Sequence, residues 1–335
     1  MRIVLVGGTG NVGTSLLPML SDDPAVADIV AIARRRPDIR LAKVTWRSAD
    51  ISTDDLVPLV AGADACVHLA WEVQPSHDEF AMARTNVHGT ARLLEAVTQA
   101  GVPAFIYASS VGAYARGPKD PAVDESWPAT GIPNASYARQ KAAVETMLDV
   151  LETARPDMRV VRMRPSLILK GGQGAEATRF FLGRLVPRAL VRPEHVGIVP
   201  DIPGLRFQVT HTDDVARAFH RAITQPVTGA FNLASEPVLD MPTIAASLDA
   251  RTVSVPASVA RAAAEVSWRL HLQPTDRGWL EMGLQTPIMS TGRARDVLGW
   301  TPQRSAIDVV TELLQGIADG AGEPTPRLRP MQPTV

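Results

Sequence analysis

Arg2-Ile3-Val4-Leu5-Val6-Gly7-Gly8-Thr9-Gly10-Asn11-Val12-Gly13 opens the chain, and its reading decides the fold. An aliphatic run ends in glycines at 7, 10 and 13, and an amphipathic stretch follows, which is the order strand, tight turn, helix. Glycine at the first place permits the turn, at the second lets backbone approach a pyrophosphate, and at the third lets the helix pack closely on the strand. The helix start supplies unpaired N–H groups and the positive end of its dipole to an anion. Between the first strand and first helix of a βαβ series, this pattern predicts a dinucleotide turn built from Gly7, Thr9, Gly10, Asn11, Val12 and Gly13.

Outward from this turn, short β-branched runs alternate with longer amphipathic stretches as far as residue 165. Strands are expected at Arg2 to Val6, Ile29 to Ala33, Lys43 to Arg47, Ala65 to Leu69, Phe105 to Ala108 and Val160 to Arg164. Long helices are expected from Asp78 to Ala100, stopped by Gly101 and Pro103, and from Ser136 to Glu152. The alternation predicts an α/β chain with a doubly wound parallel sheet of Rossmann type. We place the dinucleotide domain at 1–165 and a smaller, less regular region at 166–321, mainly for substrate, with some elements returning to the sheet. Gly171-Gly172, Pro187, Pro193, Pro200 and Pro203 punctuate that region. Residues 322–335, proline-rich and without periodicity, are expected to form a loose tail.

The end of the second strand bears on which dinucleotide is bound. Asp or Glu there would hold a free ribose 2′-hydroxyl, whereas arginine suits a 2′-phosphate. Ala33-Arg34-Arg35-Arg36 stands at that place, so NADP(H) is favoured, with NAD(H) the other possibility and a solvated turn before Pro37 the plain alternative. Asp50-Ile51, after the third strand, is placed to meet the adenine.

Ser136-Tyr137-Ala138-Arg139-Gln140-Lys141 sets Tyr137 and Lys141 four residues apart, on one helix face. A nearby ammonium and an oxidised nicotinamide both favour the phenolate, so Tyr137 is expected to titrate toward neutrality and exchange a proton as hydride moves. Lys141 is also placed to hold the nicotinamide ribose. Ser110 follows the fifth strand, beyond whose carboxyl end such sheets bind ligands, and is placed to hydrogen-bond a carbonyl or hydroxyl.

Composition removes several other classes. With 335 residues, 45% apolar and 21% charged, the chain is long enough for a large core. A net charge of −1 argues against a nucleic-acid surface. The single cysteine, Cys66, lies in a predicted strand. The first residues lack the pattern of a secretory signal and no apolar run reaches spanning length, so a cytoplasmic protein without a membrane anchor is expected. His211, Asp213 and Asp214 are read as the start of a helix running from Asp214 to Thr224, capped by Thr212 or Asp213, and not as a metal site. Asp124-Glu125 is expected to be solvated, and His68 to be buried and hydrogen-bonded.

Together these residues resemble the extended short-chain dehydrogenase/reductase family, of the NAD-dependent epimerase/dehydratase type. The glycine turn, Asp50-Ile51, Val67-His68-Leu69-Ala70, Asn86-Val87-His88-Gly89-Thr90, Ser109-Ser110, Tyr137 to Lys141, His211 to Ala216 and Leu298-Gly299-Trp300-Thr301-Pro302 match its motifs in order over nearly the whole chain. The resemblance implies a catalytic Ser110, Tyr137 and Lys141 set and cofactor contacts that include Leu69, Ala70, Asn86 and Pro165. Asn86 would hold a relay water or the helix geometry. It also implies a homodimer formed through the two long helices.

Departures from the family pattern bear on the reaction. Its dehydratases carry Asp-Glu directly after the fifth-strand Ser/Thr, but Val111-Gly112 stands here, so water elimination lacks its acid and base. Leu167 stands near the usual place of an asparagine that holds a sugar-nucleotide diphosphate, and Arg206 lies one place off the usual arginine. Trp71, Val111, Tyr114, Leu167, Phe180, Phe181 and Phe207 are candidates for an apolar substrate pocket. The expectation is an NADPH-dependent carbonyl reductase acting on a fairly apolar small molecule. Alternatives are a sugar or sugar-nucleotide epimerase with retained NAD, and a non-catalytic dinucleotide sensor.

Overall fold

The computed structural model describes residues 1–74, 76–182 and 187–331. Strands β1 (Arg2–Val6), β2 (Asp28–Ala33), β3 (Val44–Ser48), β4 (Ala65–His68), β5 (Ala104–Ala108) and β6 (Arg159–Pro165) join Gly229–Leu233 in one parallel sheet. The spatial order is Gly229–Leu233, β6, β5, β4, β1, β2, β3. Ile3 and Leu5 enter one apolar layer with Leu16, Phe219 and Trp300, while Val4 and Val6 enter the other with Leu93, Phe105 and Leu148. Both faces of the sheet are therefore covered, which is why its strands read as continuous apolar runs. The chain order reverses between β1 and β4, and this opens the crevice that holds the candidate site.

The helix expected from Asp78 to Ala100 is interrupted. Glu79–Ala83 and Thr90–Gln99 are α-helical, but Arg84–Gly89 widens into a π-turn. Asn86 lies inside that turn; its Oδ1 accepts from Glu72 N at 2.7 Å, and its Nδ2 donates to Glu72 O at 2.8 Å and Gln140 Oε1 at 2.7 Å. A π-turn re-aims one side chain without ending the helix, and apolar periodicity does not report it.

Beyond residue 165 the helix Thr212–Thr224 packs on the first helix, Asn11–Asp22, and carries the chain back to the sheet. Its cap is neither Thr212 nor Asp213 but His211, whose Nδ1 accepts from Asp213 N at 3.1 Å. Trp300 Nε1 donates to Asp214 O at 2.7 Å, so the Leu298 to Pro302 motif closes the core under this helix. Glu125, expected in water, instead accepts from Asn232 N at 2.8 Å, while Asp124 caps the following turn through Ser126.

The C-terminal segment departs most from expectation. Through residue 331 it is docked, not loose: Leu328 is fully buried, Glu323 N donates to Leu328 O at 2.8 Å, and Glu323 pairs with Lys170 at 2.9 Å. It is anchored by separate hydrogen bonds instead of an apolar stripe, so it has no period to read. Residues 332–335 of the expected tail lie outside the described residues. No helix among the described residues is long and apolar enough to cross a membrane.

A buried ion cluster fixes the helix Ser136–Ala154 against β5 and β6. Glu145 accepts from Ser109 Oγ at 2.5 Å, Arg164 Nε at 2.9 Å, Arg164 Nη2 at 2.9 Å and Arg162 Nη1 at 3.1 Å. Burial alone would raise its carboxyl, but hydrogen bonds and charge from Arg164, then Ser109 and Arg162, hold it below its ordinary value. Removing one partner leaves charges stranded in the interior. Glu145→Ala is expected to lose about 3–5 kcal/mol in urea unfolding, with most of it regained in Glu145→Ala/Arg164→Met. A single-variant loss below about 1 kcal/mol, the range of an exposed pair, contradicts this role.

Candidate active site

At the carboxyl ends of β1, β2 and β4 lies a groove lined by Gly7, Thr9, Gly10, Arg34, Arg35, Asp50, Ile51, Leu69, Ala70 and Trp71. Gly7 has a φ of +93°, and a Cβ there would stand 2.5 Å from Ala70 N. Gly10 caps the helix Asn11–Asp22 without a side-chain hydrogen bond, and no acidic residue occupies its first turn. The start of this helix therefore offers open amide donors and an uncompensated positive dipole end to the groove. A dinucleotide diphosphate fits this cradle, with the adenosine toward Arg34, Arg35, Asp50 and Ile51.

The remaining expected cofactor residues act from behind the groove wall. Asn11 donates through Nδ2 to Gln173 Oε1 at 2.7 Å and accepts from Thr212 Oγ1 at 3.1 Å, joining the turn to the C-terminal region. Val12 belongs to the apolar core, Gly13 lets the helix close on Gly8, and Pro165 ends β6 beside Leu233. Asn86 holds the backbone of residue 72, in the loop after β4, through both atoms of its amide. Arg34 is paired with Glu72, a carboxylate that no motif or spacing singles out, and Arg35 has no hydrogen-bond or ion-pair partner among the described residues. Asp50 is turned onto Ser52, whose N and Oγ it accepts at 2.9 and 2.6 Å.

Tyr137, Lys141 and Ser110 meet at the end of β5. Ser110 stands close enough to Tyr137 to favour its phenolate, and Ser110 Oγ accepts from Gly112 N at 3.0 Å. Lys141, 2% exposed, donates to Ala108 O at 2.7 Å and Tyr107 OH at 3.3 Å. Its ammonium lies 3.4 Å from the centroid of the Trp71 ring, a cation–π contact, and 5.7 Å from that of Tyr137. Trp71 thus lines the groove while packing on both members of the pair; its ring and that of Tyr137 meet edge-on at 5.9 Å.

The expected lowering of Tyr137 called for an oxidised nicotinamide as well as Lys141; in the ligand-free chain the phenol shifts the other way. Burial pushes the Tyr137 phenol up to about 12, with Ser110 opposing it, while the Lys141 ammonium is directed to Ala108 and Trp71. Burial also lowers Lys141 well below its ordinary value, with Glu145 opposing. His68 is buried against Thr90 Oγ1 at 2.8 Å and is pushed down to about 3 by burial and the Lys141 charge, so it stays neutral.

The substrate-pocket candidates separate. Trp71 and Phe180 line the groove. Tyr114 is core: its hydroxyl donates to Asn232 Oδ1 at 2.7 Å and accepts from Arg164 Nη1 at 3.1 Å, and Val111 packs beside it. Phe207 packs with Val209 and Leu239 in a separate cluster, and Leu167 is 40% exposed on a short strand paired to Val209–His211. The sequence missed Trp279, whose ring lies 5.1 Å from Tyr137 and 5.2 Å from Phe181, and Met282 beside it. It also missed Arg179, Pro326 and Arg327 on the groove. Trp279 and Met282 share one side of the helix Arg277–Gln285, whose spacing does not say which site it packs on, while Arg179, Pro326 and Arg327 lie on less regular backbone.

Comparison with known proteins identifies the class. Residues 3–234 match the NAD dependent epimerase/dehydratase family, and the chain belongs to that family. An uncharacterized protein of Mycobacterium tuberculosis (strain ATCC 25618 / H37Rv) is 25% identical over 96% of this chain and 31% of its own length. The chain therefore spans about a third of that relative. The dTDP-6-deoxy-L-talose 4-dehydrogenase (NAD(P)(+)) of Kitasatospora kifunensis is 27% identical, over 93% of this chain and 94% of its own. In architecture the chain is similar to the UDP-glucose 4-epimerase of Thermus thermophilus, solved with NAD. The TM-score is 0.68 at 18% identity, covering 95% and 99% of the two chains.

Gly10 isolates the binding claim. Its φ is −87°, and a Cβ there would meet only Gly7 O at 3.4 Å, so alanine fits the fold. Gly10→Ala is expected to keep the wild-type urea midpoint and to weaken nucleotide binding by about tenfold or more in calorimetric titration, because its methyl takes the space of the diphosphate. Unchanged affinity contradicts this placement.

Proposed function

We propose that the chain is an NAD(P)-dependent oxidoreductase that interconverts a carbonyl and an alcohol on a fairly apolar small molecule, with carbonyl reduction as the overall reaction. The observation that carries this reading is the meeting of Ser110, Tyr137 and Lys141 beside a groove fitted to a dinucleotide. When bound, the nicotinamide donates or accepts the hydride. Tyr137 gives the carbonyl oxygen its proton, Ser110 holds that oxygen and the phenol in line, and Lys141 supplies positive charge that favours the phenolate left behind. Trp71 and Trp279 pack on the Tyr137 ring and Phe181 packs on Trp279, an apolar surround that suits an apolar substrate. Val111 and Gly112 carry no acid or base, which disfavours dehydration.

NADP(H) is the preferred cofactor in this reading, since Arg34 and Arg35 both line the adenosine end. The Arg34 pairing with Glu72 would then open toward the 2′-phosphate. A second reading, an epimerase with retained cofactor, is favoured by the wall that residues 326 and 327 add to the groove, which slows exchange. Both readings share the proton chemistry of Tyr137.

With NADPH and a panel of ketones, Tyr137→Phe is expected to lower kcat by about a thousandfold with nucleotide affinity retained. Arg34→Asp should weaken NADP+ by about tenfold relative to NAD+. Full activity in Tyr137→Phe contradicts the mechanism, and an unchanged NADP+/NAD+ ratio contradicts the cofactor choice. Stoichiometric NAD released from freshly purified protein, with no turnover of added ketones, selects the epimerase.

A further inference from the structure

Of the four arginines that line the groove, Arg34 and Arg35 belong to its adenosine end, and the other two, Arg179 and Arg327, come from outside the sheet. Arg327 lies in the C-terminal segment, and its guanidinium is held at defined points. Nη1 donates to Trp71 O at 2.8 Å, Nε to Glu176 Oε1 at 2.5 Å, and the group stands 5.5 Å from the Phe180 ring centroid. Trp71 follows Ala70, the residue that the Gly7 turn packs against, so this guanidinium sits at the diphosphate end. Its Nη2 has no hydrogen-bond partner among the described residues, and the side chain is 31% exposed.

Arg179 does a different job. Its two terminal nitrogens donate to Arg329 O at 3.1 Å and Arg327 O at 2.8 Å, clipping the segment in place. The Lys170–Glu323 pair and the buried Leu328 hold it from the other side. The glycine turn itself carries no basic side chain, so its amides alone face the two negative charges of a diphosphate. A planar guanidinium with a free edge is the group that best supplements them.

We propose that residues 321–331 form the outer wall of the dinucleotide groove, and that Arg327 donates to the diphosphate, making the C-terminal segment a determinant of how tightly and how long the cofactor is held. This rests on the reading of the groove as a dinucleotide site. Arg327 is a binding residue, and Arg179 is a positioning residue that acts through it.

The test uses the full chain freed of nucleotide, with NADP+, NAD+ and ADP-ribose as probes that carry the diphosphate, and adenosine and 2′-AMP as probes that lack it. Arg327→Ala is expected to weaken the diphosphate probes and speed their release by about tenfold, to leave adenosine and 2′-AMP unchanged, and to unfold in urea near the wild-type midpoint. Arg327→Lys should recover part of the loss, and Arg179→Ala should speed release while retaining more affinity than Arg327→Ala. Diphosphate probes bound and released by Arg327→Ala within twofold of wild type overturn the proposal. So does an equal loss for the probes without a diphosphate, which would mark a collapsed groove. A wild-type chain that binds none of the five probes contradicts the dinucleotide reading itself, whereas normal wild-type binding with an indifferent Arg327→Ala contradicts the role of Arg327 alone.

Discussion

The Glu145–Arg164 pair is the interaction on which the candidate site depends. It lies inside the molecule, joins the helix Ser136–Ala154 to β6, and reaches β5 through Ser109. Tyr137 and Lys141 are carried on that helix and Ser110 follows Ser109, so one carboxylate sets the distance between the three groups. Burying charges is unfavourable in itself, and this cluster is tolerable because both Glu145 oxygens accept more than one hydrogen bond. The fold thus places its most constrained polar contacts directly behind the candidate site.

Trp71 couples the two halves of the site. Its carbonyl accepts from Arg327, its ring faces the groove, and the same ring carries the Lys141 ammonium. In the proposed function, a nucleotide that takes over the Lys141 contacts competes with the indole and changes the field at Tyr137. Burial holds the Tyr137 phenol above the ordinary tyrosine range in the ligand-free protein. The proposed function therefore links its activation to cofactor binding.

The fold was legible because each strand of a doubly wound sheet is a short apolar run and each connection an amphipathic one, so Ile3 to Val6 and Phe105 to Ala108 identify themselves. Gly7 was legible because few residues other than glycine serve at its left-handed place in such a turn, and Gly10 because the diphosphate needs its missing side chain. Tyr137 and Lys141 share one helix face, which spacing reveals. Arg179 and Arg327 escaped because they stand on a π-turn and on a segment without helix or strand, where position is set by single hydrogen bonds such as that from Arg327 to Trp71. Trp279, on the helix Arg277–Gln285, escaped because spacing within a helix does not say which distant site it faces. Tyr114 was misread for a related reason: an aromatic four residues after Ser110 can turn into the core as easily as into a pocket, and its hydroxyl finds Asn232 and Arg164 there. The π-turn at Asn86 and the His211 cap are likewise invisible to periodicity.

The most direct measurement is the ionisation of Tyr137 with and without oxidised nucleotide, read as the 295 nm absorbance of wild type minus Tyr137→Phe from pH 7 to 11. Phenolate forms only as pH rises through the pKa, and burial sets that value near 12 in the ligand-free protein, so no phenolate from Tyr137 is expected in this range. Saturating NADP+ adds positive charge beside the ring and frees Lys141, so the phenolate signal should appear at least about one pH unit lower, within the measured range. A Tyr137 that titrates at the same pH in both states, or that is already ionised at pH 8 without nucleotide, contradicts the account.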